Sequence, residues 1–342
     1  MFSALPLTAI FAIFAVAAVV IGVLGVRMTG IADRIADLTG LGEAVIGGVL
    51  LGAATSLSGT VVSVTGALDG RASLAFSNGI GGIAAQTAFL AIADIVYRRA
   101  NIEHAAADVT NLFQAALLMV LLALPLTAWS APEVTFWAVH PVSLLMVIAY
   151  VAGVMATRRA SESPMWRPVR TRQTREDEPD EQPERRNAVR VFGTFLVLAL
   201  ILGVAGWVVA RTAVEIVTRL GLSETIVGAL MTAVVTSLPE LVTTLAAVRR
   251  GAMQLAMGGI IGGNTFDTLF LSVSDVAYRD GSIFHAIGKP DFLWLTVGML
   301  MTGVLLMGLI LRERQGPFRI GTESLLILLI YGGAIAVQIV VG

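Results

Sequence analysis

Two acidic residues, Glu240 and Asp267, lie inside long apolar stretches of the chain. A charged carboxylate at the centre of a bilayer costs about 2.5 to 3.5 kcal/mol on insertion scales, so such side chains are expected to face an interior cavity. Hydroxyl and amide groups accompany them, since Thr236 and Ser237 precede Glu240 and Asn264 precedes Asp267. An all-oxygen set of this kind suits hard cations such as Na⁺ or Ca²⁺.

A proline directly before Glu240 predicts a break in the helix that carries it. Pro239 has no backbone N–H, so the carbonyl oxygen of Val235 loses its helical partner and is free to coordinate a cation. Two simpler interpretations exist. Glu240 could be protonated and bonded to a neighbouring helix, and a Thr-Ser pair often bonds only to its own helix. Two carboxylates beside a proline break favour the binding site.

The composition is that of a membrane protein. Of 342 residues, 56% are hydrophobic and 14% are charged, and the mean hydropathy is +0.83, far from the balance of a soluble domain. A net charge of −1 leaves no basic field for nucleic acid. The absence of cysteine excludes thiolate metal sites and disulfides, and three histidines argue against a His-rich metal centre. No cofactor is predicted besides transported Ca²⁺, Na⁺ or H⁺.

About 20 apolar residues are needed to cross the bilayer, and this length predicts ten transmembrane helices in an all-α fold. The predicted spans are 5–26, 41–66, 72–97, 104–129, 133–157, 191–211, 222–248, 252–278, 288–311 and 322–341.

A charged linker, residues 158–190, separates two halves of five spans, 1–157 and 191–342. It carries nine arginines, a composition that cannot bury a core. The positive-inside rule places it in the cytoplasm. The sequence therefore predicts a multi-pass protein of the plasma (inner) membrane with both termini extracytoplasmic.

The two halves contain an internal repeat. An offset of 181 residues aligns 40–99 with 221–280 without a gap, and 20 of 60 positions are identical. The matches include polar positions that hydrophobicity would not dictate, such as Asp94 with Asp275. Because each half has an odd number of spans, the repeats enter the membrane in opposite senses, an architecture typical of transporters with a site at the repeat interface.

The motif Thr-Ser-Leu-Pro-Glu at 236–240, followed by Gly-Gly-Asn-Thr-Phe-Asp at 262–267, resembles the second α-repeat of the calcium/cation antiporter superfamily, which includes the sodium/calcium exchangers. The resemblance implies a monomeric fold in which two helices per repeat enclose cation sites at the midplane. It also implies that Glu240 is a shared Ca²⁺ and Na⁺ ligand and Asp267 a central carboxyl. Thr236 and Ser237 would be ligands from the broken helix.

The first repeat departs from the family pattern. It reads Thr-Ser-Leu-Ser-Gly at 55–59, so Ser58 stands at the family's proline position and Gly59 at its other glutamate position. Gln86 stands where the family has Asn or Asp, and Gly82 and Gly263 stand where it has Ser. We expect helix interruptions at Pro239, Gly59, Gly82 and Gly263. We expect neutral ligand oxygens from Thr55, Ser56, Gln86 and Asn264.

The predicted function is secondary active cation antiport of the sodium/calcium exchanger type, with Ca²⁺ or another cation moving against Na⁺ or H⁺ by alternating access. Two alternatives remain: a monovalent cation/proton antiporter, and a non-transporting membrane sensor or interaction protein that retains the fold. An enzyme is not expected, because the chain has neither a phosphate-binding loop nor a Gly-x-Ser-x-Gly elbow. The predicted partners are inorganic cations and the bilayer.

Overall fold

The computed structural model describes residues 2–39, 55–97, 100–162, 164–167, 169, 188–316 and 320–341. The first part of the second predicted span and most of the linker lie outside these residues. Apolar helices account for nearly all of the described chain. In chain order they are α1 (Leu7–Thr39), α2 (Leu57–Leu68), α3 (Ala72–Tyr97), α4 (Ile102–Ala105), α5 (Val109–Ser130), α6 (Pro141–Glu162), α7 (Ala188–Leu220), α8 (Glu224–Thr236), α9 (Leu238–Arg250), α10 (Met253–Asp267), α11 (Leu269–Ala277), α12 (Ile283–Ala286), α13 (Lys289–Leu311) and α14 (Thr322–Val341).

Among the described residues, seven helices are long and apolar enough to cross a bilayer, or eight if α8 and α9 form one bent span. The expected all-α membrane fold is therefore confirmed in its class, whereas the count of ten remains a prediction. Three of the predicted spans are divided: residues 222–248 form α8 and α9, residues 252–278 form α10 and α11, and residues 104–129 begin with α4 before α5.

The helix α3 forms the centre of the bundle. The apolar stretch of α3 is 83% buried, against 22% for α7. Large side chains such as Val204 on α7 remain exposed, as expected where a helix faces lipid. The polar residue Gln86 on α3 is thus carried into the interior.

Contacts between loops define two faces of the molecule. Arg312 donates to the carbonyl of Val169 in the linker and to that of His104 in α4, and we call this the linker face. At the opposite face, Arg219 donates to the carbonyl of Ser3 and Arg211 pairs with Asp69 at 2.6 Å.

The helices of the two repeats are interrupted at equivalent residues, Ser56 and Ser237. Ser56 precedes α2 with φ −84° and ψ 0°, and Ser237 separates α8 from α9 with φ −95° and ψ 6°. This backbone conformation belongs to the sparsely populated bridge region. The axes of α8 and α9 differ by 46°. The break predicted next to Pro239 is therefore present, two residues earlier, at Ser237.

The predicted interruptions at Gly59, Gly82 and Gly263 are wrong. Gly59 lies inside α2, Gly82 inside α3 and Gly263 inside α10, and each of these helices continues through its glycine. A glycine inside a helix costs only about 1 kcal/mol, which the surrounding packing offsets.

A π-helical turn, Val227–Thr232, lies within α8. Turns of this type are rare overall, and those that occur are often found at functional sites. Gly81 of α3 packs directly against this turn, since a Cβ atom there would lie 2.4 Å from the Ala229 Cα.

Helix α1 packs most closely against the break between α8 and α9 at Gly25. A Cβ atom on Gly25 would lie 2.3 Å from the Cγ of Pro239, whereas nothing lies within 4 Å of the same position on Gly30. The proline ring therefore occupies the space that a side chain at residue 25 would need.

We expect Gly25→Ala to destabilise the protein by about 1 to 3 kcal/mol, the usual cost of overpacking. The matched control Gly30→Ala, five residues along the same helix, should be neutral or slightly stabilising because alanine favours a helix. Thermal unfolding of the purified protein in detergent measures both. Equal unfolding midpoints for the two variants would contradict the contact.

Candidate cation-binding site

Four segments bring polar groups together in the interior. The end of the first interrupted helix supplies Thr55 and Ser56, α3 supplies Gln86, α9 supplies Glu240 and α10 supplies Asp267. All five side chains are buried, with exposures of 2 to 7%. Residues from both repeats thus meet, as the sequence predicted for the repeat interface.

The carboxylate of Asp267 is held by donors from the first repeat. The Ser56 hydroxyl donates to Oδ1, and the Gln86 amide donates to Oδ2 at 2.7 Å. Gln86 also donates to the Ser237 hydroxyl at 3.2 Å. Both oxygens of a buried acid are therefore hydrogen-bonded, which offsets much of the cost of removing it from water.

These contacts repeat with the 181-residue offset. Gln86 is the counterpart of Asp267, and Ser56 is the counterpart of Ser237. Each residue of the first pair contacts the serine of the opposite repeat. The two broken helices therefore cross-link through the same pair of positions in both halves.

Glu240 differs from Asp267 because one of its oxygens is unpaired. The Thr55 hydroxyl bonds to its carboxyl, but Oε2 is buried without a hydrogen-bond partner in the part of the chain that the structure describes. Glu240 and Thr55 also line a cavity of about 290 Å³, which extends past Gly263 to Arg250 and Ala252 at the α9–α10 turn. An uncompensated acidic oxygen at the inner end of a cavity can accept a cation or a proton.

Two further acceptor oxygens have no partner among the described residues: Oε1 of Gln86 and Oδ1 of Asn264. The Asn264 amide is oriented by Thr87, to whose hydroxyl it donates at 3.0 Å. Thr87 was not predicted as a site residue. The repeat alignment holds the signal for it, because Thr87 is identical to its counterpart Thr268.

The hydroxyl of Thr236 bonds to the carbonyl of Ala233 in its own helix at 3.2 Å. This is the simpler interpretation that the sequence left open for the Thr-Ser pair. Thr236 nevertheless lies beside Gly59, 3.5 Å from where its Cβ atom would be. Its counterpart Thr55 bonds to Glu240, so each threonine faces the residue at the family's glutamate position in the other repeat.

The space for a second glutamate is filled by Phe270. A Cβ atom on Gly59 would lie 2.7 Å from Cε2 of this ring. Sequence reasoning missed Phe270 because an aromatic residue in an apolar span carries no signal of its own. The Phe270 ring occupies the space beside Gly59 where family members have a glutamate side chain.

Gly82 and Gly263 bring the backbones close to the site residues. A Cβ atom on Gly82 would lie 3.5 Å from the Ser237 hydroxyl, and one on Gly263 would lie 3.4 Å from Oε1 of Gln86. A larger side chain at either position would press against a site residue. Their role is close approach rather than helix interruption.

An all-helical bundle that joins buried carboxyl, amide and hydroxyl groups from two repeats is the architecture of an ion transporter. A family model described as sodium/calcium exchanger protein matches residues 9–157 and 190–340. The chain belongs to this family, so the resemblance seen in the sequence is confirmed. It is an integral membrane protein, in a family of secondary transporters rather than enzymes.

Individual relatives are similar over short segments. Sodium/calcium exchanger MaX1 of Methanosarcina acetivorans is 43% identical over 60 residues, 17% of either chain. Inner membrane protein YrbG of Escherichia coli is 36% identical over 75 residues, 22% of this chain and 23% of that protein. The matched segments thus span less than a quarter of these relatives.

Solved structures share the fold over nearly the whole chain. The H⁺/Ca²⁺ exchanger CAX superposes with a TM-score of 0.71 at 11% identity, covering 97% of this chain and 86% of that one. The sodium-calcium exchanger NCX_Mj, soaked with Na⁺ and Sr²⁺, gives a TM-score of 0.63 at 18% identity, with coverages of 97% and 99%.

Neighbouring serines provide a test of the Asp267 contacts. Ser56→Ala removes a hydroxyl that donates to a buried carboxylate, and we expect a loss of about 1.5 to 3 kcal/mol in stability. Ser58→Ala is the control, because the Ser58 hydroxyl is buried without a partner among the described residues, and its removal should be neutral or stabilising. Unfolding midpoints in detergent decide the point. A larger loss for Ser58→Ala would contradict the assignment.

Proposed function

We propose that the chain exchanges cations across the membrane by alternating access, with Glu240 and Asp267 as the essential carboxylates. The observation that carries the proposal is the unpaired, buried Oε2 of Glu240 at the inner end of a cavity. Ser237, Gln86 and Asn264 supply neutral oxygens around the two acids. The family's exchange activity supports assigning a transported ion to this site rather than a resident metal.

The proposed architecture is ten spans in two inverted repeats of five, with the linker in the cytoplasm. The cavity that reaches Glu240 begins at the α9–α10 turn, and α10 packs against α4, which belongs to the linker face. Ion pairs tie the opposite face together: Arg71 binds Glu224 at 2.8 Å and Arg211 binds Asp69 at 2.6 Å. We therefore assign this conformation to the inward-open state of the cycle.

Calcium against sodium or protons is the proposed exchange, in keeping with the names of CAX and NCX_Mj. Two carboxylates and several neutral oxygens meet the needs of a hard divalent ion. Binding of Ca²⁺ would require Asp267 to exchange its bonds from Ser56 and Gln86 for bonds to the ion. The family's second glutamate, which would add a further charge, is Gly59 here.

A second candidate, monovalent cation/proton exchange, is favoured by the occupied oxygens of Asp267. Both already accept hydrogen bonds, so Glu240 is the acid whose oxygen is immediately available. One available carboxylate suits competition between H⁺ and a singly charged ion, and a lower ligand charge weakens divalent binding. On this proposal, Na⁺ or K⁺ flux depends on pH and is insensitive to Ca²⁺.

Flux through proteoliposomes tests the role of Glu240. We expect Glu240→Gln to lose at least about 1.4 kcal/mol of cation-binding free energy, a tenfold loss of affinity, and to reduce Ca²⁺, Na⁺ and H⁺ exchange to near background. Glu162→Gln is the control, because that side chain is 59% exposed at the end of α6.

Unchanged flux in Glu240→Gln would overturn the site. No flux in the wild type, together with no thermal protection by any cation at any pH, would favour the sensor hypothesis, because a ligand that binds only the folded state must stabilise it.

The space beside Gly59, which the Phe270 ring fills, provides a gain-of-function test. Gly59→Glu alone should destabilise the protein, because the new side chain meets the Phe270 ring. Gly59→Glu combined with Phe270→Ala opens the space and adds a carboxylate, so Ca²⁺ should raise its unfolding temperature more than that of Phe270→Ala alone. Equal Ca²⁺ responses in these two variants would show that residue 59 does not face the ion.

A further inference from the structure

Three acidic residues cluster at the linker face, away from the site described above. Asp94 lies near the end of α3, Glu103 on α4 and Glu323 in the first turn of α14, with exposures of 1%, 1% and 6%. Burial of three acids in one region is costly unless each has hydrogen-bond donors or a bound positive charge.

Asp94 has a structural role. Its two oxygens accept the backbone N–H groups of Ile102 and Gly321, both at 2.7 Å. The carboxylate thus ties the end of α3 to the starts of α4 and α14. Its hydrogen bonds satisfy it without a cation.

The second half of the chain builds the same structure at the opposite face. Asp275 accepts the N–H of Ile283 at 3.0 Å and that of His140 at 2.7 Å. Ile283 follows Ile102 by 181 residues, and Gly321 follows His140 by 181 residues. The residues around Asp275 can therefore be compared, position by position, with the residues of the cluster around Asp94.

Neither Glu103 nor Glu323 has an acidic counterpart at the opposite face. The counterpart of Glu103 is Phe284, and the counterpart of Glu323 is Val142. Phe284 is fully buried and packs edge-to-face on His140 with ring centroids 5.7 Å apart. The fold accepts an apolar side chain at the position of Glu103, so the acid is not needed for packing.

Only one of the two carboxylate oxygens of Glu103 has a hydrogen-bond partner among the described residues. Its Oε1 accepts the Ser324 hydroxyl at 3.1 Å, whereas Oε2 has no partner among the described residues. Oε2 and Oδ2 of Asp94 both lie next to Gly321: a Cβ atom on this glycine would be 3.1 Å from Oε2 and 3.3 Å from Oδ2. Two acidic oxygens thus converge on a glycine that leaves them room.

We propose that Glu103 is a proton-binding site at the linker face, distinct from Glu240 and Asp267, in which the bound proton lies on the Glu103 carboxyl beside Asp94. Protonation turns Oε2 from an unpaired acceptor into a donor and removes the repulsion from Asp94. Within the described residues, no group of three or more acidic or histidine side chains is placed to hold a metal ion, which favours a proton as the ligand.

The charges around Glu103 are mainly negative. Asp94 of α3 and Glu323 of α14 face it, while α10 and the adjacent end of α13 contribute no ionisable side chain there. His104, next along α4, binds the carbonyl of Arg312 through Nδ1. In the segment after α13, Glu313 accepts from Thr322 and Arg314 offers its carbonyl to Asn101. Arg98 and Arg99 lie outside the described residues.

Burial raises the pKa of Glu103 from 4.5 to about 8, and the charges of Asp94 and Glu323 add to the shift. Between these two values the folded protein holds one proton more than the unfolded chain. Its stability therefore falls as the pH rises from 4.5 to about 8 and levels off above that value. This window separates the site from an ordinary surface carboxyl, which titrates near pH 4.

The test is the pH dependence of thermal unfolding of the full chain in detergent, paired with infrared titration of protonated carboxyl groups. The unfolding temperature of the wild type should fall with rising pH up to about 8. The infrared signal of the wild type should show, besides any titration of Glu240, a one-proton transition near pH 8. Glu103→Gln, which mimics the protonated acid, should lack it and keep its unfolding temperature at high pH. Glu323→Gln removes a repelling charge and should move the transition to lower pH. Glu162→Gln should match the wild type.

Other outcomes overturn the proposal. If the wild type and Glu103→Gln show the same transition near pH 8, the proton lies elsewhere, and an unshifted transition in Glu323→Gln would show that the cluster is not its source. If Na⁺ or Ca²⁺ at high pH restores the wild-type unfolding temperature but has no such effect on Glu103→Gln, the site binds a metal cation instead.

Discussion

The structure depends on burying the Asp267 carboxylate inside an apolar bundle. A buried acid without donors would cost several kcal/mol, and here the donors are Ser56 and Gln86 of the other repeat. The acid can therefore be buried only when the two halves are assembled in one register. The interrupted helices, the glycines that allow close approach and the central place of α3 all serve that meeting of polar groups.

The two repeats keep one scaffold and differ in chemistry. Ser56 and Ser237 have matching backbone conformations at the helix breaks, and Asp94 and Asp275 make matching bonds to the helix that follows. At the site, however, Glu240 faces Thr55 while Gly59 faces Thr236, with Phe270 filling the vacant volume. The backbone symmetry has been retained while the charge has been concentrated in the second repeat.

Much of this arrangement was predictable from sequence because its signals are local or periodic. The apolar spans, the repeat offset, and the carboxylates beside Pro239 depend on composition and spacing alone. The interruptions assigned to Gly82 and Gly263 were wrong because glycine has two uses, as a helix breaker and as a point of close approach, and only the neighbouring helices decide between them. Phe270 and the unpaired oxygen of Glu103 depend on contacts between distant segments, which no single segment encodes.

The π-helical turn of α8 lies directly before the break at Ser237. A π turn holds more residues than an α turn over the same stretch, and each residue of an α-helix rotates the chain by about 100°. Removing one residue from Val227–Thr232 would restore a plain α-helix over the same stretch and leave Ser237 facing Gln86. The same single-codon deletion in a regular α-helical stretch would turn the residues beyond it by about 100°, so the π turn is a place where the chain length before the site can change by one residue without misorienting the site.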